Sequence, residues 1–396
     1  MRKRKNKKDE DNVTKFTKLL TIENKITDID YFKINKDKQQ KIIDELDKLN
    51  HIIYQFKPQL MQLIESDIPI EFKATALRKF NQIHSENNES FKLQKWLTTF
   101  LRIPFNTYQQ LPVQINHGPI ECKHYIDHCE QILNECTYGM CDAKYKILQL
   151  IGKWMVNPKS LGTAIALKGP MGTGKTTLVK YGISKLLNRP FGFITLGGAN
   201  DSGYLEGHSY TYEGSTHGKI VDILIETKST NPIIFFDELD KVGKNDKGNE
   251  VIGILTHLID TTQNNQFHDK YFSEIDFDLS KCLFIFSYND ESLVNPILKD
   301  RMYVIDVNGY NKKDKLIIVH NYLLPAILKE FNLEENILID DTSIEYLIDI
   351  TIEEEGVRNL KRNLETLISK INLERIQLTE SILPYTITID KIKKYI

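Results

Sequence analysis

The string Gly169-Pro170-Met171-Gly172-Thr173-Gly174-Lys175-Thr176 satisfies the pattern GxxxxGK[ST] at every position. Its chemistry is phosphate capture. Glycine permits the backbone angles at which successive N–H groups turn inward around phosphate oxygens, and a helix beginning there adds the positive end of its dipole. Lys175 supplies a point charge for the β- and γ-phosphates, and the Thr176 hydroxyl is a ligand for Mg²⁺. Thr177, on the same turn, is counted with the nucleotide-contacting residues. The string follows the apolar run Ala164–Leu167 and opens a helical stretch from Thr176 to Leu187, which is the strand-to-helix setting the motif requires. ATP and Mg²⁺ are the expected cofactors.

About sixty residues on, Ile233-Ile234-Phe235-Phe236-Asp237-Glu238 reads as a buried strand ending in two acids. In a doubly wound sheet such a strand end lies beside the phosphate loop, where Asp237 can hold Mg²⁺ through water and Glu238 can polarise an attacking water. The pair argues for hydrolysis rather than nucleotide sensing. A capped strand end is the bland alternative.

These residues need a scaffold of parallel strands. Short β-branched and aromatic runs near Thr163–Leu167, Phe191–Leu196, Ile233–Phe236, Cys282–Ser287 and Tyr303–Val307 alternate with helical stretches, as an α/β sheet demands. Past Asn308-Gly309 the strand signals mostly stop, and residues 310 to about 380 read as a small helical domain. Upstream, Ile42, Leu46, Leu49, Ile53, Phe56, Leu60 and Leu63 recur with spacings of 4, 3, 4, 3, 4, 3. That spacing predicts one long helix burying a single seam and kinked at Pro58, with packing inside the chain or against another chain left open.

Composition narrows the classes. The 396 residues carry 41% hydrophobic and 27% charged side chains, an ordinary globular mixture that excludes collagen-like or wholly disordered chains. No apolar run approaches the roughly 20 residues of a membrane span. Fifty-two basic residues against 54 acidic ones give a net charge of -2, so overall charge argues for neither nucleic acid nor membrane. Six of the first eight residues are basic; a disordered tail is the plain reading, and an arm for nuclear targeting or nucleic acid the livelier one. Five cysteines and no apolar leader at the start of the sequence argue for an intracellular, reducing compartment, with the cytoplasm expected and the basic arm adding the nucleus as an alternative. His117, Cys122, His124, His128, Cys129, Cys136 and Cys141 lie close together but contain no CxxC pair, so a zinc module is not expected.

In its details the chain resembles the AAA+ module of Lon proteases, from about Lys95 onward. The phosphate loop is followed by Leu196-Gly197-Gly198-Ala199-Asn200-Asp201, Gly207-His208 and Thr211-Tyr212-Glu213-Gly214, and the acidic strand reads Phe-Phe-Asp-Glu-Leu-Asp-Lys over 235–241. Gln263-Asn264-Asn265, Phe277-Asp278-Leu279-Ser280, Leu298-Lys299-Asp300-Arg301-Met302 and Glu355-Gly356-Val357-Arg358-Asn359-Leu360 complete the series. Lys95-Trp96-Leu97, Ile103-Pro104-Phe105 and Tyr138-Gly139-Met140 resemble the helical segment before the Lon ATPase. The resemblance implies a P-loop AAA+ α/β fold with a five-stranded parallel sheet, an N-terminal helical region and a C-terminal helical lid. Its expected divisions are a basic tail at 1–30, a helical region at 31–135, the ATPase domain at 136–308, the lid at 309–380 and a short segment at 381–396 like the Lon ATPase–protease linker. It assigns Asn289 to sensor 1, Arg301 to an arginine finger reaching a neighbouring subunit, and Arg358 to sensor 2. It also implies a ring of identical subunits, a homohexamer, with Tyr212 as the pore-loop aromatic that grips a protein substrate.

The sequence departs from that family at several points. Glu213 stands where the pore loop carries an aliphatic residue, His217 replaces a proline, and Glu206 replaces an arginine. An acid beside the gripping aromatic lowers apolar contact with a substrate and changes pore charge. No residues follow from which the Lon Ser–Lys protease dyad could be built, so peptidase activity is not expected of this sequence. The leading expectation is a protease-less ATPase that remodels or unfolds proteins. A nucleic-acid motor or loader anchored by the basic arm, and an ATPase subunit working with a separate protease, are the alternatives.

Overall fold

A computed structural model describes residues 35–54, 58–83, 90–198, 201–334, 337–377 and 385–396; the basic tail at 1–30 lies outside them. Among the described residues nine strands form three sheets: β1 Ala164–Lys168, β2 Phe191–Thr195, β3 Ile233–Asp237, β4 Phe267–His268, β5 Asp276–Phe277, β6 Leu283–Tyr288, β7 Tyr303–Asp306, β8 Ile337–Ile339 and β9 Tyr385–Ile387. The central sheet has five parallel strands in the order β2-β3-β6-β1-β7, each within a residue or two of its predicted run.

The strands at its centre read as unbroken apolar runs because helices cover both faces. Alternate residues point to opposite sides. Ala164, Ala166, Ile234, Phe236, Phe284 and Phe286 face one core, while Ile165, Leu167, Ile233, Phe235, Leu283 and Ile285 face the other. The first core is closed by helices Lys219–Thr227 and Asp246–Ile259 and also by the upstream helix Ser90–Phe100, which contributes Trp96, Leu97 and Phe100. The second is closed by Pro119–Cys136, Cys141–Val156 and the helical stretch that begins at Lys175. Cys129 is buried in this second core, and all five cysteines are free thiols. Among the described residues no cluster of three or more His, Cys, Asp or Glu could hold a metal, and no helix is long and apolar enough to cross a membrane.

Upstream, the single kinked helix expected across Pro58 is two helices, Lys36–Tyr54 and Gln59–Glu65, with Pro58 extended at the N-cap of the second. Proline has no N–H to donate and Pro58 is itself extended, so the second helix starts afresh after it. The seam differs too: Ile43 and Leu63 are buried but Leu49 is 51% exposed, and Phe56 lies outside the described residues.

The C-terminal part has its own apolar core, drawn from Val319, Ile327, Leu347, Leu364, Leu367, Ile371 and their neighbours on successive helices, the longest being Arg358–Gln377. Two small sheets were not anticipated. β8 pairs in parallel with β9, and β4 pairs antiparallel with β5; strands of two or three residues are too short to display a period.

Candidate active site

The C-terminal ends of β1, β3 and β6 lie side by side, and each delivers part of the site. β1 runs into the phosphate loop, whose first residue is tied to β6 by Gly169 N–H donating to Tyr288 O at 3.1 Å. Gly174 is left-handed at the N-cap (φ 94°), so the helix begins at Lys175 with its first N–H groups turned towards the loop. Lys175 is nearly buried, and its Nζ donates to Gly169 O (2.5 Å), Pro170 O (2.8 Å) and Asn289 Oδ1 (3.3 Å). Burial pushes its ammonium down to about 8, against the opposing pull of Asp237 and Asp240. Thr176 and Thr177 follow on the first turn.

β3 ends in Asp237, whose Oδ1 accepts hydrogen bonds from Ser287 Oγ on β6 and from Glu238 N–H (3.1 Å). Glu238 takes the left-handed conformation (φ 61°), which turns the chain sharply at the strand end and costs energy that surrounding contacts must offset. Its carboxylate lies against Gly197: a Cβ at that position would come within 1.9 Å of Glu238 Oε2. Gly197, just past β2, is therefore a seat for the acid.

Asn289, just past β6, has its side chain on Lys175 and its backbone on Asp240. The buried Asp240 carboxylate accepts from Asn289 N–H (3.4 Å) and Asp290 N–H (3.2 Å). Sequence reasoning passed over Asp240, though its signal was present: it is a further acid two residues past the paired ones, in a 3-10 turn that follows β3 directly.

The lid segment Gly356-Val357-Arg358 packs onto the loop from the other side. Val357 N–H donates to Gly172 O at 3.1 Å. A Cβ on Gly356 would sit 2.1 Å from Met171 O, and one on Gly172 would meet Arg358 N and Cβ at 3.0 Å, so both glycines are required by close backbone approach. Arg358 thus starts its helix beside the phosphate loop. Glu354 stabilises that start by accepting from Asn359 and Leu360 N–H groups. Tyr310, also missed in the sequence, donates its hydroxyl to Thr173 O at 2.6 Å and ties the loop to the beginning of the lid.

Three expected residues lie apart from this cluster. Arg301 ends the helix Pro296–Arg301 and forms an ion pair with Asp260; hydrogen bonds from Thr262 and then Arg301 hold the Asp260 carboxyl down to about 2. Tyr212, 70% exposed, and the exposed Glu213 occupy a turn between helices Gly203–Glu206 and Lys219–Thr227.

A five-stranded parallel sheet that presents a phosphate loop, paired acids and a polar residue on three neighbouring strand ends defines a nucleotide-binding ATPase module. Residues 165–308 match the ATPase family associated with various cellular activities (AAA). The wider chain is similar to Lon proteases: it is 36% identical to a Lon protease homolog of Acanthamoeba polyphaga mimivirus over 83% of its length, and 32% identical to the Lon protease of Clostridioides difficile over 92%. With the mitochondrial Lon protease homolog of Schizosaccharomyces pombe it shares 33% identity over 87%. The chain carries an AAA+ module of the Lon protease family. It spans 34%, 45% and 33% of those three relatives respectively.

Proposed function

We propose that the chain hydrolyses ATP with Lys175, Asp237, Glu238 and Asn289 as its central residues, and that it works as a ring of like subunits that remodels or unfolds a protein. The observation that carries the ATPase reading is the contact of Lys175 Nζ with Asn289 Oδ1 across β1 and β6, with the Asp237–Glu238 pair on the strand between β2 and β6.

In this reading the Gly169–Thr177 backbone and Lys175 cradle the phosphates of ATP. The donor set suits Mg²⁺, which keeps waters and takes one or two protein oxygens plus substrate phosphates; Thr176 Oγ1 and Asp237 would supply them. Bound there, Mg²⁺ would neutralise charge on the β- and γ-phosphate oxygens. Glu238, turned out of the strand and seated on Gly197, accepts the proton of the attacking water, and Asn289 orients that water. Arg358 contacts the nucleotide from the lid, and Arg301 reaches the site of a neighbouring subunit to stabilise transition-state charge. Tyr212 grips the polypeptide in the pore.

Replacing Glu238 by Gln removes the water-polarising carboxylate and leaves the phosphate cradle intact. The E238Q chain should bind ATP with unchanged affinity by calorimetry and turn it over at least about 10²-fold more slowly. Parallel loss of affinity and turnover would overturn the assignment.

A further inference from the structure

The loop that carries Tyr212 has few bonds of its own. Within it, Tyr212 N–H donates to Ser209 O (3.1 Å), Ser215 N–H to Tyr212 O (3.4 Å), and the Ser209 and Thr211 hydroxyls share one bond (2.9 Å). At its base His208 N–H donates to Thr216 O (3.1 Å). His217 at its C-terminal end pairs with Asp222, and Tyr210 packs on Tyr271; further support comes from upstream of the ATPase core. Lys92 Nζ donates to Thr211 O at 2.7 Å and Lys95 Nζ to Ser215 O at 3.0 Å. These two carbonyls stand on either side of the exposed tip, residues 212–214.

The lysines come from the helix Ser90–Phe100, three residues apart and hence on one face. That helix is fixed. Trp96, on its buried side, donates Nε1–H to Tyr271 O at 3.1 Å and stacks on Phe100, with Phe272 at 5.3 Å. A third ammonium, Lys79 of the helix Ile70–Ile83, sits 4.3 Å above the Tyr210 ring and 4.9 Å above Trp96, and is tied to Glu274 at 2.8 Å. Three ammonium groups upstream of the ATPase core therefore converge on Tyr210, Thr211 and Ser215.

We propose that the Ser90–Phe100 helix is the clamp that holds the Tyr212 loop out for polypeptide, with Lys92 and Lys95 as positioning residues for substrate grip. An exposed aromatic that pulls on an extended chain must resist the load through its own backbone, and a tip joined only to neighbouring loop residues would yield. Two lysine stems anchored to a helix with its tryptophan in the core transfer that load to the sheet. Because the helix precedes the phosphate loop by about seventy residues, the device also gives the upstream region a direct mechanical hold on substrate engagement. The inference rests on the reading of Tyr212 as a gripping residue.

The test uses the full chain with both lysines changed to methionine, which keeps the apolar stems and removes the donors. Hydrogen exchange of the amides at 209–217 should speed up by about tenfold or more in Lys92→Met/Lys95→Met, and the corresponding double arginine variant should restore protection. Unchanged exchange overturns the clamp, whatever the substrate. Basal ATP turnover should stay within about twofold, while the casein concentration giving half-maximal stimulation of turnover should rise by at least about fivefold. Tyr212→Ala separates the two ideas. If it abolishes casein stimulation while the double methionine variant leaves the half-maximal casein concentration unchanged, the clamp fails alone. If Tyr212→Ala leaves stimulation intact, the gripping reading fails, and the exchange result then judges the clamp as a purely structural one.

Discussion

Lys175 concentrates the residue-scale chemistry. Its ammonium is surrounded by carbonyls and one amide oxygen, and burial holds it near 8, well under the 10.5 of a free lysine. Phosphate oxygens favour the charged form, so nucleotide raises that value again. Above about pH 8 the free site is partly neutral and must take up a proton to bind ATP; affinity should then fall with rising pH, approaching tenfold per unit. Calorimetry at about pH 9 in two buffers of different ionisation enthalpy should register that uptake, and Lys175→Arg, which cannot lose its proton, should abolish it. Equal heats in both buffers for the unaltered chain would show that the ammonium is not depressed. Asp240 illustrates the other kind of contribution at this scale: by accepting from Asn289 and Asp290 N–H it fixes the backbone from which Asn289 reaches Lys175.

Between elements, the decisive contact is that of the lid segment with the phosphate loop. Gly356 stands with no room for a Cβ, the obstacle being the backbone carbonyl of Met171, which cannot swing aside as a flexible side chain would. Gly356→Ala should therefore lift Val357 off Gly172 O and carry Arg358 away from the loop, raising the KM for ATP by about tenfold, with overpacking adding about 1–3 kcal/mol of destabilisation. Gly253 provides the control. It lies inside the helix Asp246–Ile259 with nothing within 4 Å of a new Cβ, so Gly253→Ala should stabilise by about 0.4–1 kcal/mol and leave the KM alone. Chemical denaturation and steady-state kinetics on the two variants distinguish a local lid effect from a general cost of adding a methyl group.

For the whole molecule, the proposed ring would make each site depend on Arg301 of a neighbouring copy. Arg301 is paired with Asp260 on its own chain, and the described bonds of Arg301 do not reach the Lys175 cluster. That arrangement suits a residue presented at an edge, held in place by Asp260 and available to a neighbour. Arg301→Ala and Glu238→Gln chains should each be nearly inactive alone, since such arginines contribute on the order of 10³-fold or more. Mixed together, they should recover part of the turnover, because some interfaces then join an intact Glu238 to an intact Arg301. No recovery at any ratio, with subunit exchange verified, would mean that Arg301 acts within its own chain and would remove the main support for a ring.

What the sequence determined by itself is the chemistry and its local setting. GxxxxGKT needs nothing beyond its neighbours to read as a phosphate loop, and Asp237-Glu238 at the end of an apolar run announces a strand tip, because these signals lie within one strand-turn-helix stretch. The five strand runs of the sheet were legible for the same reason, each being a short buried run between turns. Tertiary structure decided the contacts between distant segments. That Asn289 meets Lys175, that Asp240 holds Asn289, and that Gly356 lies on Met171 depend on strand order and lid docking, which no local period encodes. The pairing of β8 with β9 and the reach of Lys92 and Lys95 to the Tyr212 loop belong with them. A lysine on a helix face reads as solvated until the fold places a carbonyl within 3 Å of it, because its partner is chosen by packing more than a hundred residues away in the chain.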